Sequence, residues 1–342
     1  MEDVAVLRPK GEGSGVMTSA FQAEVGGFAM GKDITDEQLA AYNAKRVVRG
    51  RPSVSKKDSH ATLEHLLYGK NREGWWTGDD LLRQVHDVID LLEVLYPLLT
   101  FLFLFDWSMG HCKFAADALH AKSMNVNYGG KQPLPRATVV SEQDLGPHNP
   151  VLKPGDTQHM VFQPGDPPPF YAPNATDHVG KPKGLRQALW ERGLLVSSKM
   201  TKTNQSPELN METVMAGCAD FKAQKSQLQL EIESRGHLFD MSPKYGCEIA
   251  GVGIEYSWGR SKLHFRKHCT YKNSDLMPRV KASLSEEVIP LSLVRKYARK
   301  TRDYMRAYAA GAVGPALVKQ LKTYKTHRSA LDTHSSFINE DV

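Results

Sequence analysis

Short apolar runs alternate with long polar stretches along this chain. Val16 to Phe21 (VMTSAF) and Gly27 to Met30 flank a turn at Gly26-Gly27 and predict a two-stranded hairpin. Residues 32–60 are polar, with a basic run from Lys45 to Lys57, and predict a loop or insertion. Leu63 to Tyr68 predicts a third strand, and Gly69 to Trp76 is rich in turn residues. Thr77-Gly78-Asp79-Asp80 has the composition of a helix start. The threonine caps free N–H groups and the acids suit the positive helix end. Leu81, Leu82, Val85, Val88, Ile89, Leu92 and Leu95 then keep helical spacing up to Pro97. Phe101 to Phe105 (FLFLF) is apolar at every position, the pattern of a strand covered on both faces.

Beyond Asp106 the pattern loosens. Phe114 to Lys122 predicts a short helix, and residues 129–183, rich in Pro and Gly, predict a long irregular insertion. Gly184 to Arg192 predicts a short helix. Met211 to Arg235 predicts a long helical stretch broken near Ala219-Asp220. Leu238 to Met241 predicts a strand before Ser242-Pro243. Ile254 to Arg266, Ile289 to Tyr308 and Pro315 to Thr323 predict three further helices, and the tail 329–342 is polar.

Composition narrows the class. The chain has 342 residues, 41% hydrophobic and 24% charged, which excludes a disordered or fibrous protein. Four scattered cysteines give no disulfide framework. No secretory signal is visible, and the greasiest stretch, Val88 to Phe105, carries Asp90, Glu93 and Pro97, so no membrane span is expected. The expected location is nuclear or cytoplasmic, not secreted. The formal net charge of +6 is unevenly spread: Tyr256 to Arg328 holds 17 Lys and Arg against 4 acids, leaving the rest at −7. Arg295, Lys296, Arg299, Lys300, Arg302 and Arg306 crowd one predicted helix. Such a patch suits nucleic-acid phosphates.

Two carboxylates have a context that suggests chemistry. Asp106 ends the apolar strand, with Ser108 and His111 on the adjoining loop, and a divalent cation would compensate an acid at such a place. Glu255 falls in the first turn of the helix from Ile254, and Glu248 competes with it for the same role. His264, His268, Cys247 and Cys269 lack the paired spacing of a zinc site, and Lys10 to Gly15 lacks a Walker ending.

Asp106-Trp107-Ser108-Met109-Gly110-His111, with Ala116 to Leu119 and Met124 to Pro133, resembles the second catalytic-acid segment of DDE-superfamily transposases related to the Tc1/mariner group. Leu7 to Gly13, Tyr68 to Thr77 and Pro243 to Gly259 resemble further blocks of that family, from about residue 7 to 328. The resemblance implies an RNase H-like α/β fold over 1–328, a mixed sheet flanked by helices. It has 32–60 and 129–183 as irregular insertions and 256–328 as a basic helical part. It implies a site for two Mg²⁺ or Mn²⁺ ions held by three acids, with Asp106 second and Glu255 (or Glu248) third. The first acid belongs on a strand upstream of the Lys10-Gly11-Glu12-Gly13 block, where only Glu2 and Asp3 are available. Should these fail, Glu12 and Glu24 are the next candidates. In the family that first strand lies between the second strand and the one ending in Asp106, and Val4-Ala5-Val6-Leu7 is short for it. The expected function is therefore that of a transposase-derived DNA-binding protein with an incomplete metal site and no activity. The alternative is a domesticated, non-catalytic nucleic-acid-binding or interaction protein. DNA is the expected partner, mostly through phosphates, and homodimerisation stays open.

Overall fold

Apolar residues recur at helical spacing over much of the chain, so helices outnumber strands and the sheets stay small. The computed structural model describes residues 15–28, 31–56, 62–108, 110–148, 150–244, 246–270 and 272–323. Glu2, Asp3, the Leu7 to Gly13 block, Met30, Met109, Tyr245 and the tail 329–342 lie outside the described residues. The chain is mixed α/β and divides into two compact units. One takes the residues up to His111 and from Glu231 onward; the other runs from Cys112 to Leu230.

In the first unit β1 (Met17–Ala20) pairs antiparallel with β2 (Leu63–Leu66), Met17 opposite Leu66. Among the described residues the predicted hairpin partner, Gly27 onward, makes the isolated bridge Ala23 to Gly27 and no longer pairing, Glu24 to Gly26 forming a tight turn. The polar stretch predicted as a loop contains α1 (Asp36–Val48), started by a reciprocal cap between Thr35 and Gln38. α2 (Gly78–Leu95) starts at Thr77 and Asp80 as the sequence predicts, and buries Val85, Val88, Ile89, Leu91 and Leu92. β3 (Leu102–Phe105) is covered on one face only: Phe103 and Phe105 are buried, whereas Leu102 is exposed.

Residues 114–122 form turns and the start of a 3-10 turn (Ala121–Ser123) instead of the predicted helix. The second unit then carries the two-residue strands β4 (Thr138–Val139) and β5 (Thr157–Gln158), paired antiparallel. Helices α3 (Gly184–Glu191), α4 (Met211–Gly217) and α5 (Ala219–Lys222) follow. Its core gathers Met160, Leu185, Leu189, Met211, Met215 and Phe221. Gly184 has φ +76°, and any Cβ there would meet the Asn127 carbonyl at 2.5 Å, so only glycine opens α3. The Pro/Gly-rich stretch is thus irregular as predicted, yet it supplies core residues Val140, Met160 and Phe162.

α6 (Gln227–Ser234) leads to β6 (Leu238–Met241), which pairs parallel with β3, Leu102 opposite Leu238. α7 (Ile254–His268), α8 (Asn273–Ser283), α9 (Leu291–Ala309) and α10 (Gly314–Thr323) complete the first unit. α8 escapes the sequence pattern because Pro278 and a polar start interrupt it. The two sheets of this unit stay separate: β1 with β2, and β3 with β6.

Candidate functional site

A cavity of about 590 Å³ lies in the first unit, lined by all of β1 and β3 together with residues of α2, α7 and α9. Its apolar wall includes Leu81, Val88, Leu92, Trp258, Val294 and Ala298. Three carboxylates line it: Glu24, Asp106 and Glu255. Asp106 and Glu255, 149 positions apart in sequence, therefore border one space.

Asp106 follows β3 directly. Its side chain is 63% exposed, so it is not the desolvated acid that the strand pattern predicts. His111 Nδ1 lies 2.7 Å from the Asp106 carbonyl and 3.0 Å from its carboxylate Oδ1. Both are acceptors, which assigns the hydrogen to Nδ1. The Ser108 amide also donates to the Asp106 carbonyl, at 3.1 Å, and folds the loop into a turn. Trp107 is half exposed, and the Lys244 ammonium stands 4.6 Å over its ring.

Glu255 is exposed at the first turn of α7. The helix begins at Gly253, with φ 92°, where a Cβ would press on the Tyr297 backbone at 2.9 Å. Glu248 has a different position. It is absent from the cavity lining and accepts a hydrogen bond from the Tyr308 hydroxyl. That bond holds the Glu248 carboxyl below its ordinary range and pushes the Tyr308 hydroxyl up to about 12. Glu24 is held by the Arg302 guanidinium, with Nη2 at 3.1 Å from Oε2. Hydrogen bonding to Arg302 outweighs burial and keeps its carboxyl low.

This carboxylate set is not gathered around one point. The three acids do not bring their oxygens to within 4.8 Å of one another, and one is already neutralised by arginine. Among the described residues the only group of metal-ligating type is Asp144, Cys218 and Asp220. It is already compensated. Buried Arg192 takes both Asp220 oxygens at 2.9 and 2.6 Å, and Asp144 accepts from Ser141 and from the Ala219 amide. Sequence spacing did not single out this cluster, because its acids lie 76 positions apart.

The basic residues lie as an amphipathic helix requires. α9 buries Val294, Ala298, Thr301 and Ala307 and exposes Arg295, Lys296, Arg299, Lys300 and Arg306. Arg302 is half-buried against Glu24, and Arg295 donates to the Glu24 carbonyl at 2.9 Å. Lys300 stands 4.0 Å over the Tyr256 ring, and Arg306 pairs with Asp303 at 3.4 Å. Among the described residues Lys296 and Arg299 have no ion-pair partner within 4 Å. No described helix is long and apolar enough to cross a membrane. No family model, curated protein or solved structure matches this chain.

Proposed function

We propose that this chain is a nucleic-acid-binding protein of transposase ancestry, on an RNase H-like scaffold, without strand-transfer or cleavage activity. The outward row of cations on α9 carries the binding half of this reading. Exposed Lys and Arg neutralise backbone phosphates without reading bases, and they release counterions as they do so. The strand pairings support the scaffold: an antiparallel pair, a parallel pair, and Asp106 directly after the parallel strand β3. The carboxylates support the loss of activity. A hard cation such as Mg²⁺ or Mn²⁺ takes oxygen ligands, and among the described residues Asp106 and Glu255 are the cavity carboxylates not already paired with arginine, too few for such a site.

The test is duplex binding by fluorescence anisotropy across salt. Affinity should fall steeply between about 50 and 200 mM salt, with a log–log slope of roughly −0.9 per phosphate contacted. Charge reversal at Arg295, Lys296, Arg299 and Lys300 should weaken every duplex alike and flatten the slope by roughly one per contacting cation. Affinity indifferent to salt would end the binding reading. A nicking assay with Mg²⁺ or Mn²⁺ should show no cleavage; cleavage that disappears in Asp106→Ala would restore an active enzyme.

A further inference from the structure

Two bulky aromatics stand outward just past the end of β2. Trp75 is 64% exposed and Tyr68 41%, and their rings stack with centroids 5.8 Å apart and planes at 28°. The loop between them is tied to itself. The Gly69 amide donates to the Gly74 carbonyl at 2.9 Å, the Arg72 amide to the Gly69 carbonyl at 3.0 Å, and the Glu73 amide to the Leu67 carbonyl at 3.2 Å. The Glu73 carboxylate accepts from the Leu67 amide in return. A ring pair held in this way has given up its freedom before anything binds, which lowers the cost of stacking on it. Lys70 and Arg72 are exposed at the tip of the same loop.

The aromatic pair borders a groove edged by cations. The Tyr68 hydroxyl lies against Gly15, where any Cβ would meet it at 2.0 Å. Gly15 in turn lines a cavity of about 540 Å³ with Trp258, Phe265, Lys262 and Arg266. Lys262 and Arg266 are exposed one helical turn apart on α7, and among the described residues neither forms an ion pair. Glu255 is the acid on the lining. An apolar protein surface laid here would cover these cations without counter-charges, which is costly. A duplex offers phosphates but keeps its bases stacked inside, whereas an unpaired strand offers phosphates and flat bases together. We infer that Tyr68 and Trp75 are a stacking platform for the bases of an unpaired nucleic-acid strand, with Lys262 and Arg266 taking its phosphates. This rests on the nucleic-acid reading above, and adds to it the kind of strand bound and a contact surface besides α9.

Fluorescence anisotropy on the full chain tests this with an oligothymidylate of about twelve nucleotides, the same strand carrying abasic sites, and a duplex of equal length. The abasic strand keeps the phosphates and drops the bases. The oligothymidylate should bind roughly 5- to 150-fold more tightly than the abasic strand, the contribution of about one stacked base. Trp75→Ala should remove that difference and leave duplex binding unchanged, and Trp75→Phe, which keeps a ring, should restore most of it. Trp75 is exposed, so both variants should keep the melting temperature of the unaltered chain. Lys262→Glu with Arg266→Glu should weaken both single strands alike. An unchanged difference in Trp75→Ala would overturn the platform, while salt-dependent duplex binding still upheld the reading beneath it. Equal losses on strand and duplex would overturn the choice of an unpaired strand and make Trp75 a wedge between base pairs. No binding to any of these probes at about 50 mM salt would end both readings together.

Discussion

Val252 has a positive φ, 50°, and is the non-glycine residue with that property among those described. A β-branched side chain resists this region, and such strain costs about 1–3 kcal/mol. The residue sits between Gly251 and Gly253, lines the cavity, and delivers the chain to the helix start that presents Glu255. Val252→Gly should therefore stabilise the first unit by about 1 kcal/mol, after allowing for the added freedom of the unfolded chain. In thermal unfolding that is a rise of roughly 3 °C; a lower midpoint would show that Val252 is unstrained. The places of Asp106 after a strand and of Glu255 in the first turn of a helix were legible in the sequence because both are local patterns. The position of Glu248 was not, since Tyr308, the group that holds it, lies 60 residues further on.

α1 and α2 meet through matched charges. Arg46 and Arg51 reach Asp87 at 2.7 and 2.9 Å, Arg49 reaches Asp90 at 2.9 Å, and Lys45 reaches Glu93 at 2.8 Å. Asp87 and Asp90 are almost fully buried, and a carboxylate in such a place is costly without a cation beside it. Arg46→Leu should cost about 3 kcal/mol in urea unfolding, because it strips one of two partners from a buried carboxylate. Adding Asp87→Leu should recover most of that loss; full additivity of the two costs would mean that the pair is not coupled. The helix α2 was legible from its apolar spacing and its Thr77 cap. α1 was not: read alone, Lys45 to Lys57 is a polar run, and the acids of α2 that pair with Lys45, Arg46, Arg49 and Arg51 lie about 40 residues further on.

Over the whole first unit, stability should depend on pH before any carboxylate titrates. Burial pushes the imidazoles of His65, His86 and His237 below their ordinary range, and the Lys281 charge adds to this at His65. With folded pKa values lowered, the unfolded chain binds more protons as pH falls below about 6.5. Stability is then fully present above that value and drains away toward the folded pKa values. The thermal midpoint should fall from pH 7 to pH 5, and His237→Phe, which keeps a ring against Phe101 and Phe103, should shrink that fall. A midpoint flat over this range would contradict neutral burial. Below it, hydrogen bonds from Arg235 and Lys45 outweigh burial and keep the Glu93 carboxyl low, so its contribution lasts into more acidic solution. At this scale the basic C-terminal part was legible from composition alone. The division into two units was not, because it depends on the parallel pairing of β3 with β6, two strands with residues 112–230 between them in sequence. That pairing also sets a timetable for synthesis. Leu102 leaves the ribosome 136 positions before Leu238. At about 5–20 residues per second β3 waits roughly 7–27 s for its neighbour, while the second unit emerges complete and has time to fold.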